Sequence, residues 1–178
     1  MGALHVAQAA GGSSGVSYTV TPIVGYETAV KLRPTPHSHA RIMYGALVTG
    51  GYERLSGEVE YTQAQDDERF ALQSLNIRDK DERLKLGLRT AIRHSAMLST
   101  KFRGGGQASR NTHEEEIAGV KSKVVGKIKY SPYVGAGIGV RVMSFVELNL
   151  AATAVLNEIP DMSKTNYEYT VGLTFSKP

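Results

Sequence analysis

Apolar and polar residues alternate with a period of two over most of this chain. That pattern restricts it to amphipathic β-strands, each with one face in an apolar medium and the other in a polar one. From Val16, the residues Val16, Tyr18, Val20, Pro22, Val24 and Tyr26 interleave with Ser17, Thr19, Thr21, Ile23, Gly25 and Glu27. Arg33-Pro34-Thr35-Pro36-His37 breaks the run, because prolines cannot continue a central ladder. The pattern resumes at Ala40, Ile42, Tyr44, Ala46 and Val48, and later at Leu84, Leu86, Leu88, Thr90 and Ile92, whose opposite face carries Lys85, Gly87, Arg89, Ala91 and Arg93. It returns at Val134, Ala136, Ile138, Val140 and Val142, at Val146, Leu148 and Leu150, and at Tyr167, Tyr169, Val171, Leu173 and Phe175.

The predicted strands are 16–30, 40–49, 53–63, 82–93, 95–103, 131–143, 145–156 and 166–175. Tight turns fall at Gly50-Gly51, His94-Ser95 and Met143-Ser144, and longer connections at 31–39, 64–81, 104–130 and 157–165. Two of those connections are ambiguous. Residues 64–81 read as a charged loop, although Phe70 to Ile77 also suits a strand. Gly104-Gly105-Gly106 reads as a strand end. Beyond it, Val120 to Tyr130 alternates as a strand, while Thr112 with Glu115 has capping-box spacing and Ile117, Val120, Val124 and Ile128 have helical spacing. Counting both ambiguous segments as strands raises the number from eight to ten.

The 178 residues suit one domain, 16–178, behind a flexible leader, 1–15. In that leader Ala7-Gln8-Ala9 has the look of a cleavage site, and Gly11-Gly12-Ser13-Ser14-Gly15 is a flexible lead-in. No stretch approaches the roughly 18 apolar residues of a spanning helix. The absence of Cys excludes a disulfide framework and thiolate-bound zinc. The net charge of +4 is spread along the chain among 17 acidic residues, which does not describe a nucleic-acid patch.

Alternation alone fits a soluble barrel with its apolar face inward equally well. Three features favour the reverse arrangement, with lipid outside. The polar face holds Gly and charges of both signs: Glu27, Glu58, Glu60, Lys85, Arg89, Arg93, Lys101, Arg141 and Glu147. Tyr18, Tyr26, Tyr61, Tyr167 and Phe175 sit near strand ends on the apolar face, as interfacial girdles do. Closure satisfies every backbone group, as a bilayer demands. The expected fold is an all-β, closed antiparallel up-and-down transmembrane β-barrel of eight strands, or of ten.

Ser131-Pro132-Tyr133-Val134-Gly135-Ala136-Gly137-Ile138-Gly139-Val140 resembles the sixth strand of small bacterial outer-membrane barrels of the OmpA/OmpX-like superfamily. Tyr167 to Phe175 resembles that group's terminal strand. The chain departs from the pattern in carrying Ser176-Lys177-Pro178 after the last aromatic. The resemblance implies an even strand number, both termini in the periplasm, and lipid and lipopolysaccharide as surroundings. It also implies an assembly signal at Tyr167, Tyr169 and Phe175, read by the outer-membrane assembly machinery.

Eight strands enclose a space about wide enough for side chains to fill, so the lumenal charges are expected to pair with one another. His37 and His39 lack a third ligand nearby, and adjacent His94 and Ser95 point to opposite faces of a strand. Gly135-x-Gly137-x-Gly139 lies inside a strand with no helix after it, which rules out a dinucleotide loop. Lys121, Lys123, Lys127 and Lys129 form a basic row that faces lipopolysaccharide if it stands above the membrane. No catalytic, cofactor or metal site is expected. The expected function is a structural or surface-interaction role through extracellular loops. The alternatives are a soluble carrier with an apolar cavity, a small-solute pore and a lipid A-modifying enzyme.

Overall fold

The structure, a computed structural model, describes residues 16–31, 37–52, 54–70, 75–117, 119–157 and 165–176. The leader 1–15 lies outside the described residues. The strands are β1 (Ser17–Lys31), β2 (His37–Tyr52), β3 (Leu55–Phe70), β4 (Leu75–Arg93), β5 (Leu98–Ile117), β6 (Val120–Val125), β7 (Lys129–Met143), β8 (Val146–Leu156) and β9 (Thr165–Ser176). Neighbours pair antiparallel in the order β4-β3-β2-β1-β9-β8-β7-β5, and β4 pairs with β5 to close the sheet on itself.

Eight strands make the barrel, and β6 is not a ninth stave. It pairs with the far end of β5, from Thr112↔Val125 to Ile117↔Val120, while β7 pairs with the near end, from Leu98↔Val140 to Ser109↔Lys129. The two are one stave interrupted at 126–128, where the Gly126 amide donates to the Asn111 carbonyl at 2.8 Å. The ten-stranded alternative is not formed.

The register also gives the stagger. From Glu27 the cross-strand partners run through Glu168, Thr153, Gly135, Arg103, Arg89, Ser56 and Gly51. They return to β1 at Ser17, ten residues along. Such a stagger tilts the strands by roughly 35–45° from the barrel axis.

Faces are sorted as lipid requires. Leu84, Leu86, Leu88, Val134, Ile138, Leu150, Val171 and Leu173 are all exposed on the outer surface. Leu88, at 60% exposure, is wetter than any core leucine of a soluble domain. Inside, Glu27, Glu60, Lys85 and Glu168 are fully buried. This inversion excludes the soluble carrier, which needs those leucines in a dry centre. Tyr26, Tyr44, Tyr61, Tyr167 and Tyr169 cap the belt at one rim, with Tyr26 and Tyr169 stacked at 5.0 Å between ring centroids. Tyr44 accepts from Gln63 Nε2 at 2.7 Å, and the Tyr61 hydroxyl lies 3.4 Å from Glu82 Oε1, so each ring keeps an apolar body and a wet tip.

Several sequence-based boundaries need correction. Gly50 and Gly51 belong to β2, and the turn falls after Tyr52, which pairs with Leu55. The second tight turn spans 94–97, so Ala96 is in a bend rather than a strand. The third tight turn is Ser144-Phe145, following Met143. The segments 64–81 and 104–130 are mainly strand: β3 and β4 pair up to Phe70↔Leu75, and β5 passes through Gly104–Gly106 to Ile117. The Thr112–Glu115 capping-box spacing therefore sits in a strand. Residues 32–36 and 158–164, within two predicted loops, lie outside the described residues.

β4 and β5, at 19 and 20 residues, are about twice the 9–11 residues that cross a bilayer. With β3 and β6 they carry a four-stranded sheet past the tyrosine rim. Above Met43↔Ala64, β3 no longer pairs with β2, and the projecting sheet leaves the barrel there. Refolded in detergent, the protein is expected to migrate differently on SDS gels before and after boiling. Monodisperse folding without detergent would contradict the outward apolar face.

Candidate functional site in the lumen and the projecting sheet

Strand alternation brings inward residues from seven of the eight staves into one ion network. Starting at the mouth, Arg41 pairs with Asp81 and, at 2.5 Å, with Glu27. Arg83 pairs with Glu27, donates to Glu168 Oε1 at 3.0 Å and reaches Asp81 at 3.2 Å. Lys85 bridges Glu168 and Glu60, the latter at 2.7 Å. Arg103 donates to Glu60 Oε2 at 2.6 Å and to Glu58 Oε1 at 2.8 Å. Tyr133 ends the chain by donating its hydroxyl to the same Glu58 oxygen at 2.7 Å. Five carboxylates thus face four cations, so each charge has opposite neighbours, as burial requires.

The Tyr133 ring is fully buried and lies 5.1 Å from the Arg103 guanidinium carbon. It occupies the space above Gly87, where a Cβ would stand 2.2 Å from the Tyr133 hydroxyl and 2.5 Å from the Gly104 carbonyl oxygen. Glycine here gives the tyrosine room to cross the lumen.

Nearer the short turns, Lys101 contacts Glu147 and Asn149. Asn149 donates to Thr174 at 2.6 Å, and Thr174 shares a 2.6 Å bond with Thr21. Arg89 reaches Asn149 Oδ1 at 3.4 Å. Arg141 is half-buried, and Arg93 is exposed at the end of β4. The lumen is filled by side chains, with a cavity of about 30 Å³ between the two groups.

Of the expected lumenal charges, Glu27, Glu58, Glu60 and Lys85 meet in the upper network, and Arg89, Lys101 and Glu147 line the lower lumen. Sequence reasoning missed Arg41, Asp81, Arg83, Arg103 and Glu168 as members. The signal was present: Arg41 precedes outward Ile42, Arg83 continues the Lys85 face, and Glu168 lies between outward Tyr167 and Tyr169. His37 and His39 fall in β2, with side chains outside what is described. His94 Nε2 bonds Thr100 at 2.8 Å, while Ser95 Oγ accepts from the Met97 and Leu98 amides. The two side chains therefore make no nucleophile–base pair. Among the described residues, no three His, Asp or Glu side chains gather to hold a metal.

The projecting sheet is polar because both of its faces meet water. On its outer face, cross-strand positions align Asp67, Arg78, Glu114 and Lys123 in alternating sign. Arg78 contacts Asp67 at 2.8 Å and Lys123 contacts Glu114 at 2.7 Å. Lys123 holds the Glu114 carboxyl below its usual range. At the foot of the sheet, Glu82 accepts from Arg110 at 2.8 Å and contacts Lys80 at 2.9 Å. Those bonds, Arg110's first, bring the Glu82 carboxyl down to about 2. Opposite charges in facing positions support pairing where no apolar face can.

Three measurements probe this site. Lys85→Met is expected to destabilise the barrel in urea by about 3–5 kcal/mol, because Glu60 and Glu168 lose their shared cation. Adding Glu60→Gln and Glu168→Gln should recover much of the loss. Gly87→Ala is expected to cost about 1–3 kcal/mol through overpacking. Glu82 should titrate near 2 in the folded protein, from an ordinary 4.5, when followed by carboxyl NMR. Its contribution to stability is therefore complete above the ordinary value, falls as pH drops towards about 2, and is absent in Glu82→Gln.

No protein-family model matches the chain, and no curated protein matches it in sequence. Solved structures match it along nearly its whole length. Ail, the attachment invasion locus protein of Yersinia pestis, in complex with the heparin analogue sucrose octasulfate, aligns with a TM-score of 0.65 at 10% identity, over 91% of this chain and 99% of that one. Outer membrane protein OprG of Pseudomonas aeruginosa aligns at 0.59 and 9%, over 92% and 96%. Neisserial surface protein A aligns at 0.58 and 13%, over 90% and 98%. At such identities the likeness is one of architecture. The chain has the fold of the small bacterial outer-membrane β-barrels.

Proposed function

We propose that this protein is a non-enzymatic barrel of the bacterial outer membrane, closed to solutes, that works at the cell surface through its projecting sheet. The observation that carries this reading is the length of β3, β4 and β5. They run well past the tyrosine rim on the side opposite both described chain ends, and their outer face carries ordered charge. A wall that only anchored the chain needs no such extension. The filled lumen argues against a pore, and planar bilayers containing the protein are expected to stay electrically silent.

The partner best matched to this surface is a polyanion. Lys121 and Lys123 lie on the outer face of β6, and Lys127 and Lys129 follow, exposed, at the base of the sheet. Ail, with the same architecture, has been seen in complex with a heparin analogue. In this chain the row would meet a sulfated glycan or the phosphates of lipopolysaccharide. Terminal-strand residues Tyr167, Tyr169 and Phe175 face outward and would serve the assembly machinery as its signal.

Binding of heparin to the barrel in lipid nanodiscs tests the surface reading. Replacing Lys121, Lys123, Lys127 and Lys129 together by Ser should weaken binding at least tenfold and flatten its salt dependence, while the heat-dependent gel shift is retained. Equal binding by the substituted barrel would remove the basic row from the mechanism.

A further inference from the structure

The cavity of about 30 Å³ in the middle of the lumen has an unbalanced wall. Three cationic side chains line it, Arg89, Lys101 and Arg103, beside Asn149, Thr21 and one carboxylate, Glu60. Glu60 is already committed, with one oxygen to Lys85 and the other to Arg103. Lys101 has Glu147. Arg89 has no carboxylate within ion-pair distance among the described residues, and its bond to Asn149 is long at 3.4 Å.

A second observation points the same way. Arg103 is more than nine-tenths buried, with Nε and Nη1 engaged by Glu58 and Glu60. Its remaining nitrogen, Nη2, is buried with no acceptor. A buried guanidinium N–H without a partner is costly, and a buried cation without a counter-charge more so. The wall therefore sets three cations against one carboxylate and leaves a buried donor without an acceptor.

We propose that this cavity is a binding site for a small monovalent inorganic anion, of which chloride is the probe of choice, held among Arg89, Lys101 and Arg103. A space of this size holds one or two waters at roughly 10–15 Å³ each, or a single monatomic ion. Water supplies an acceptor but no charge. Chloride supplies both, and needs no fixed geometry from its donors. Thr21 can turn its hydroxyl proton towards it, because Thr174 can donate in their shared bond. Larger anions do not fit, so the site discriminates by size. It is separate from the projecting sheet and does not depend on the surface role.

Crystals of the detergent-refolded barrel soaked in bromide provide the test. An anomalous peak is expected between Arg89 and Arg103, and its absence at a resolution that shows lumenal waters would overturn the proposal. In solution, the urea midpoint is compared in sodium chloride and sodium gluconate at equal ionic strength. The folded-to-unfolded ratio should rise linearly with chloride concentration and stay flat with gluconate. Arg89→Gln should abolish the chloride dependence, and Arg89→Lys, which keeps the charge, should retain it. Equal midpoints in the two salts for the unsubstituted barrel would assign the cavity to water.

Discussion

Everything in this structure depends on pairing charge inside a wall that shows grease to its surroundings. A soluble domain gathers its apolar side chains and leaves charge in water. Here the belt of Leu84, Leu86, Leu88 and Leu150 faces outward, so the centre must be held by something else. That role falls to the chain of contacts from Asp81 and Arg41 to Glu58 and Tyr133. A buried ion pair adds little net stability against an apolar replacement of the same shape, but breaking one is expensive. A displaced stave would strand one of these charges, so the network penalises a change of register.

The barrel was legible in the sequence wherever one side of a strand meets lipid and the other the lumen. In β4, Leu84, Leu86 and Leu88 against Lys85 and Arg89 leave only a strand with one apolar and one polar face. The signal fails where both sides meet water. Gln65 to Arg69 and Arg78 to Lys80 have no apolar face, so nothing in their periodicity separates a strand from a solvated loop. Their strand character rests on partners distant in sequence, such as Asp67 with Arg78 and Glu114 with Lys123. Such pairing also overrules the helix-like spacing around Thr112, whose neighbours are fixed by strands on either side.

Glycine misled for a related reason. Three in a row at Gly104–Gly106 read as the end of a strand, yet β5 continues through them. Gly105 needs to be small because a Cβ there would stand 2.1 Å from the Leu86 carbonyl oxygen across the ladder. Close backbone approach in a tightly curved wall, rather than a turn, explains its place. Lumenal partners were only half visible: alternation tells which residues point inward, but not which of them share a level. Arg83 and Glu27 come together through the tilt of the staves, a property of closure and not of any one strand.

The ten-residue stagger between Glu27 and Ser17 has its own consequence. Because neighbouring side chains alternate sides, the offset on completing a circuit must be even; an odd one would set an inward residue level with an outward one at the seam. A single-residue insertion within a stave therefore cannot be absorbed by sliding the ladder, since every lumenal charge beyond it would turn into hydrocarbon. Such an insertion survives only as a bulge that keeps the two sides sorted. Insertions of two preserve the sorting, so length changes in the wall are constrained by parity, while the projecting sheet, wet on both sides, escapes that constraint.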